Sequence, residues 1–173
     1  MSEQLTKDNE FLLPASNTFV YSTMLAALML NWLPWEGFWL ALRPDFAALV
    51  LLYWCTYKPY RIGIGIAWVV GILADVADSS VFGQHALAYS ILAFGGIMLH
   101  RRIQMFEPLE QPMQVFPLFL LSYGAFALVH WLMRGVFSWE FFLGCLSSAL
   151  LWLPMSMLLQ SMRRVRRNPN ELS

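Results

Sequence analysis

Charge is scarce in this sequence. Only 13% of its 173 residues are Asp, Glu, Lys or Arg, and eleven acids balance eleven bases to a net charge of zero. A soluble domain carries about 25% charged residues. Cysteine is scarcer, with Cys55 and Cys145 alone, and there are three histidines. These shortages exclude a disulfide-stapled secreted module, a basic nucleic-acid binder and an acidic disordered chain. Catalytic sets are missing too. No Ser, His and Asp are spaced for nucleophilic attack, and no paired Glu suggests acid–base hydrolysis. Asp75-x-x-Asp78 with one distant His is too sparse for a metal site. The chain reads as non-enzymatic, with no cofactor. What is present is apolar: 58% of the residues, more than one soluble core of this length can enclose. The expectation is an all-α integral membrane protein.

Six apolar runs are legible, approximately Thr18 to Trp35, Asp45 to Tyr57, Ile62 to Ala77, His85 to Leu99, Met113 to Met133 and Phe137 to Met162. A helix needs about 20 apolar residues to cross a hydrocarbon core of about 30 Å. The fifth and sixth runs meet that length. The second, third and fourth must borrow polar-edged residues, thin the bilayer locally or pack inside the bundle. None alternates apolar with polar as a membrane barrel strand does. The first run follows a tail holding Glu3, Asp8 and Glu10 against Lys7, with no small-x-small cleavage site after it, and is expected to remain as an anchor. The organisation expected is a tail over 1–17, a six-helix transmembrane domain over 18–162 and a basic tail over 163–173.

The positions of the bases set an orientation. With the N-terminus cytoplasmic, the inner segments hold Lys7, Lys58, Arg61, Arg101, Arg102, Arg163, Arg164, Arg166 and Arg167; the outer ones hold Arg43 and Arg134. Nine against two obeys the positive-inside rule in loops this short, and places both termini in the cytoplasm. Trp32, Trp35 and Trp39 gather at the first outer loop, Trp54, Tyr57 and Tyr60 at the first inner turn, and Trp139 at the last outer loop. Aromatic rings favour the headgroup level. The cluster from Arg163 to Arg167 reads as a topological lock attracted to anionic headgroups.

The third run carries two features. Gly63, Ala67, Gly71 and Ala74 fall on one helical face, and small residues on a face let another helix approach closely in lipid. At the outer end of that face stand Asp75 and Asp78, then Gln84 and His85. A carboxylate within a span costs about 2.5 to 3.5 kcal/mol on insertion scales, so it turns to the bundle or to water. One reading joins Asp45, Asp75, Gln84 and His85 in a polar cluster that holds a ligand, a proton or a partner's charged group, and with Arg43 they form a candidate rim for partner contact. The plainer reading leaves Asp78 in the loop, with Asp75 pairing Arg43 or capping a neighbouring helix. His100 and His130 read as interfacial and packing residues, and the two cysteines as inert.

Several motifs resemble a known family. Arg43-Pro44-Asp45-Phe46, Leu52-Tyr53-Trp54, Lys58-Pro59-Tyr60-Arg61 and Gly63-Ile64-Gly65-Ile66-Ala67-Trp68, with Gly71 and Asp75, resemble the MreD rod shape-determining proteins. So does Phe82-Gly83-Gln84-His85-Ala86-Leu87-Ala88-Tyr89. The specific stretch covers about 50 residues, from Arg43 to Tyr89, and length and hydropathy agree over nearly the whole chain. The resemblance implies a scaffold in the bacterial inner membrane, within the machinery that elongates the lateral cell wall. The partners it implies are MreC, the actin-like MreB, the glycan polymerase RodA and its class B penicillin-binding transpeptidase. The family's six-helix bundle is similar to the substrate-binding subunits of energy-coupling-factor transporters, so a small-molecule-binding transporter subunit is the alternative function. That alternative needs polar side chains on the inner faces of the fifth and sixth helices, where His130, Ser147 and Ser148 are the readable ones.

Overall fold

The computed structural model describes residues 16–33, 43–78, 81–135 and 140–163. Among these the chain forms six α-helices and no strand: α1 (Asn17–Asn31), α2 (Phe46–Tyr57), α3 (Ile64–Ala77), α4 (Gln84–Met105), α5 (Gln111–Arg134) and α6 (Glu140–Ser161). Each coincides with one apolar run of the sequence. Trp35, Trp39 and Trp139, the residues up to 15 and the bases Arg164, Arg166 and Arg167 lie outside the described residues.

The short runs resolve differently. At 22 residues, α4 is about 33 Å long, because Gln84 at its start and His100, Arg101 and Arg102 near its end continue the helix past the apolar run. Only 12 residues long, or about 18 Å, α2 packs inside the bundle. Every residue from Ala47 to Thr56 is buried, so α2 has no polar face, as expected of a helix enclosed on all sides. Around it stand α1, α4 and α6. Two helices, α5 and the stretch Phe142–Ser161 of α6, are each long and apolar enough to cross a membrane alone. Pro117 and Pro154 lie inside them, a residue that membrane helices tolerate where neighbouring groups satisfy the freed carbonyl.

Helix α4 is the hub, packed against α2, α3 and α5. Its contacts depend on backbone proximity. A Cβ on Gly96 would meet Leu52 Cδ1 of α2 at 2.7 Å, and one on Gly71 of α3 would meet the Ala86 Cα of α4 at 2.4 Å. The small face of α3 is thus spent within the bundle, with Ala67, Gly71 and Ala74 all buried. Gly63 does not belong to that contact. It is the N-cap of α3, and a Cβ there would meet nothing within 4 Å. The reason is geometric: the helix begins after it, so its periodicity with Ala67 does not bring it under α4. The opposite face of α3, with Trp68, Val69, Leu73 and Val76, is exposed.

Successive helices alternate in direction. Asn17 bonds to Arg61, Gln160 Nε2 donates to the Tyr57 hydroxyl at 2.9 Å, and Gln104 Nε2 donates to the Thr56 carbonyl at 2.5 Å. These contacts gather the start of α1, the end of α2 and the ends of α4 and α6 at one end of the bundle. Arg163, grouped with the basic tail in the sequence, is buried at this end, because it reaches back to the Tyr53 hydroxyl of α2.

Candidate functional site

The other end of the bundle holds the aspartates. Where Gly71 lets α3 touch α4 at Ala86, Asp75 follows one turn later and lies over the start of α4. That start lacks a cap of its own. Gly83 precedes it with φ of +93°, a left-handed conformation that suits glycine, and offers no side chain to the first N–H groups. Asp75 supplies the missing acceptor from another helix. Its Oδ2 accepts from Gly83 N at 2.8 Å and Ala86 N at 3.4 Å, and its Oδ1 from His85 N at 2.8 Å. The carboxylate thereby stands at the positive end of the α4 dipole, where an anion is favoured. This is what makes a sealed, ionisable side chain affordable in an apolar bundle.

His85 extends the cap toward the surface. Its Nδ1 lies 2.9 Å from Asp75 Oδ1 and its Nε2 3.7 Å from Asp78 Oδ2. Asp78 Oδ1 in turn is 3.5 Å from Arg43 Nη2. Arg43 therefore faces Asp78, not Asp75, whose oxygens are taken by backbone donors. With side chains 20% and 31% exposed at that distance, the Arg43–Asp78 pair contributes about 0–1 kcal/mol.

Asp45 builds a second cluster. As the N-cap of α2 it accepts from Ala48 N at 3.0 Å, from Asn31 Nδ2 at 2.8 Å and from the Tyr89 hydroxyl at 2.8 and 2.9 Å. Asn31 Oδ1 accepts from Phe46 N at 3.0 Å, Ser148 Oγ accepts from Asp45 N at 3.1 Å, and the Tyr123 hydroxyl lies 3.0 Å from Ser148 Oγ. The carboxylate thus ties together α1, α2 and α4, and the Asp45 N–H extends the cluster through Ser148 to α6 and Tyr123 of α5. The two clusters meet on α4, where the rings of His85 and Tyr89 stand edge to face at 5.7 Å. Asp45 thus caps α2 and Asp75 caps α4, and Tyr89 and His85 of α4 link the two clusters. Gln84 belongs to neither: it is buried and donates through Nε2 to the Phe126 carbonyl of α5 at 3.1 Å.

The sequence reading missed Asn31 and Tyr123, and held Tyr89 only as the end of the Phe82–Tyr89 motif. Tyr89 had a visible signal, four residues after His85 and so on the same helical face. Asn31 had a weaker one, as a lone amide in an apolar run. His130 stacks on Phe126, whose other neighbour is His85, and the His100 Nδ1 lies 2.6 Å from the Ile97 carbonyl, so both fill packing roles. Cys55 and Cys145 are buried.

Residues 15–162 match the family model described as rod shape-determining protein MreD. A relative in Haemophilus influenzae, named Rod shape-determining protein MreD, is 33% identical over 152 residues, covering 86% of this chain and 90% of that protein. No solved structure matches the chain. The sequence covering Asp45, Asp75, Gln84, His85 and Tyr89 falls within the matched region, and the chain belongs to the MreD family of rod shape-determining membrane proteins.

Proposed function

We propose that this protein is a non-enzymatic scaffold of the cell-elongation complex, crossing the inner membrane six times with both termini in the cytoplasm. It binds MreC beside the membrane and links it to MreB, RodA and the class B transpeptidase. The observation that carries the scaffold reading is how the interior polar groups are used. The buried Ser122 hydroxyl donates to the Ala88 carbonyl, Ser148 serves Asp45 and Tyr123, and Gln111 accepts from the Trp152 indole. Polar side chains do line α5 and α6; Gln111, Ser122, Tyr123 and Ser148 fasten helix to helix, and Ser147 and Ser156 bond to carbonyls of their own helix. A solute site needs polar groups left to face a ligand, and this weighs against the transporter-subunit alternative.

In this reading Asp75 and His85 hold the α3–α4 corner in shape, Gln84 fastens α4 to α5, and Arg43, Asp45 and Asp78 complete the rim. The surface offered to MreC is the exposed flank beside it, including Val76, Phe82 and Leu87. Alternating helix directions, which put residue 17 and Arg163 at the same end, support the paired cytoplasmic termini. Replacing Asp75 or His85 with alanine should reduce co-purification of MreC and round the cells. Retention of rod shape and full complex recovery in both variants would refute the rim's role. For the orientation, a reporter active only outside the cytoplasm should work when fused at Trp39 and fail at Gln104; the reverse result inverts the topology.

A further inference from the structure

At the end of the bundle opposite the Asp75 cap, three cations converge on the turn between α2 and α3. Arg163 is 8% exposed; its Nη1 donates to the Tyr53 hydroxyl at 3.3 Å and its guanidinium lies 5.7 Å from the Trp54 ring centre. With the Gln160–Tyr57 bond, this fastens the end of α6 to the last turns of α2. Lys58 and Arg61 follow in the next turn, and Arg61 bonds to Asn17 at the start of α1. The Lys58 ammonium is held below the usual lysine range, first by partial burial and then by the positive charges of Arg163 and Arg61. Lys58 and Arg61 share one turn, closed by the Arg61 N–H donating to the Lys58 carbonyl at 3.0 Å. Among the described residues no carboxylate forms an ion pair with Lys58 or Arg61.

The same turn is open. Neither Gly63 nor Gly65 would bring a Cβ within 4 Å of any neighbour, and α3 starts with no side chain capping its first N–H groups. Ser16 caps α1, Asp45 caps α2 and Asp75 caps α4, whereas α5, like α3, starts without a side-chain cap.

We propose that the Lys58–Gly65 turn, backed by Arg163, binds the phosphate group of an anionic phospholipid. Lys58 and Arg61 contact the phosphate oxygens, and Arg163 adds its charge from beneath while holding α6 in place. Two cations in one turn, with Lys58 partly desolvated, are unfavourable on their own and become favourable around an anion. Guanidinium and phosphate match in geometry as well as in charge. The site stands at a bundle end, where headgroups of a membrane lie. It rests on the chain being a membrane protein, and is independent of which proteins the scaffold binds.

The test uses the full chain purified in a neutral detergent, with lipid retention read by native mass spectrometry. Phosphatidylglycerol should be retained over phosphatidylcholine. The double variant Lys58→Gln, Arg61→Gln should lose that preference, each neutralised charge weakening retention about fivefold. Arg101→Gln with Arg102→Gln, exposed bases at the same end, should keep it. Arg163→Lys keeps the charge beneath the turn and should keep the preference for phosphatidylglycerol. A parallel arm adds inorganic phosphate alone. Thermal stabilisation by phosphate in the parent and not in the Lys58, Arg61 variant, without lipid preference, assigns the same site to free phosphate. The proposal is overturned if neither probe distinguishes parent from that variant, or if the Arg101, Arg102 control loses as much.

Discussion

Replacing Asp75 should be the most damaging single polar change in the molecule, and its magnitude can be worked from the geometry. Asp75→Ala strips acceptors from the amides of Gly83 and His85, each bonded at 2.8 Å, and from that of Ala86 at 3.4 Å. A buried donor left without an acceptor costs about 1–3 kcal/mol, and losing a cap about 0.5–2 kcal/mol. Taking the two short bonds near the low end, and adding about 1 kcal/mol for the lost charge at the helix terminus, gives about 3–5 kcal/mol. The side-chain contact to His85 adds less, since such bonds in membrane bundles average about 0.6 kcal/mol. Asp75→Asn keeps one acceptor oxygen but turns an amide toward a backbone donor, so about half the loss is expected. Asp78→Ala, removing an exposed 3.5 Å pair, should cost under about 1 kcal/mol. Both cysteines are buried, so reactivity with a thiol-specific fluorophore during heating reports unfolding in detergent. The order of midpoints should be parent, Asp78→Ala, Asp75→Asn, Asp75→Ala. An Asp75→Ala midpoint equal to that of Asp78→Ala would show that the inter-helix cap carries no stability.

Gly71→Ala should destabilise by about 1–3 kcal/mol, because its Cβ would lie 2.4 Å from the Ala86 Cα and only backbone movement can relieve that contact. Gly63→Ala, with open space around it, should leave the same thiol-reactivity midpoint nearly unchanged. Tyr89→Phe removes the hydroxyl shared by both Asp45 oxygens and should lower the midpoint by an amount equivalent to about 1–2 kcal/mol. Combined with Asn31→Ala, its effect should be non-additive, since both side chains serve one carboxylate.

Helix positions were largely legible, because apolar runs bounded by Pro, Gly and charge leave few other arrangements in lipid. The ends were less so. Hydropathy ends the fourth run at Leu99, yet the helix carries His100, Arg101 and Arg102, since long cationic side chains tolerate a helix end at the interface. Asp75 was readable as a residue needing a partner, and capping a neighbouring helix was among its options. That the neighbour is the glycine-started α4 follows from the Gly71–Ala86 contact, which composition cannot reveal. The Asp45 cluster was hidden for another reason. Its members Asn31, Tyr89, Tyr123 and Ser148 come from four separate helices, and only packing brings Asn31, Tyr89 and Ser148 to about 3 Å from Asp45 and Tyr123 to 3.0 Å from Ser148. Gly63 misled because periodicity continues past the point where a helix stops.

The enclosed α2 has a bearing on how the chain is made. Its walls include α4 and α6, and α6 leaves the ribosome after the other five described helices. Until then the twelve-residue segment, with Asp45 at its head, has no complete surroundings and is too short to settle in lipid by itself. Insertion of the early hairpin must therefore be provisional, and a chain cut short before Glu140 should present α2 to the quality-control proteases of the membrane. The centre of this bundle is the part that closes last.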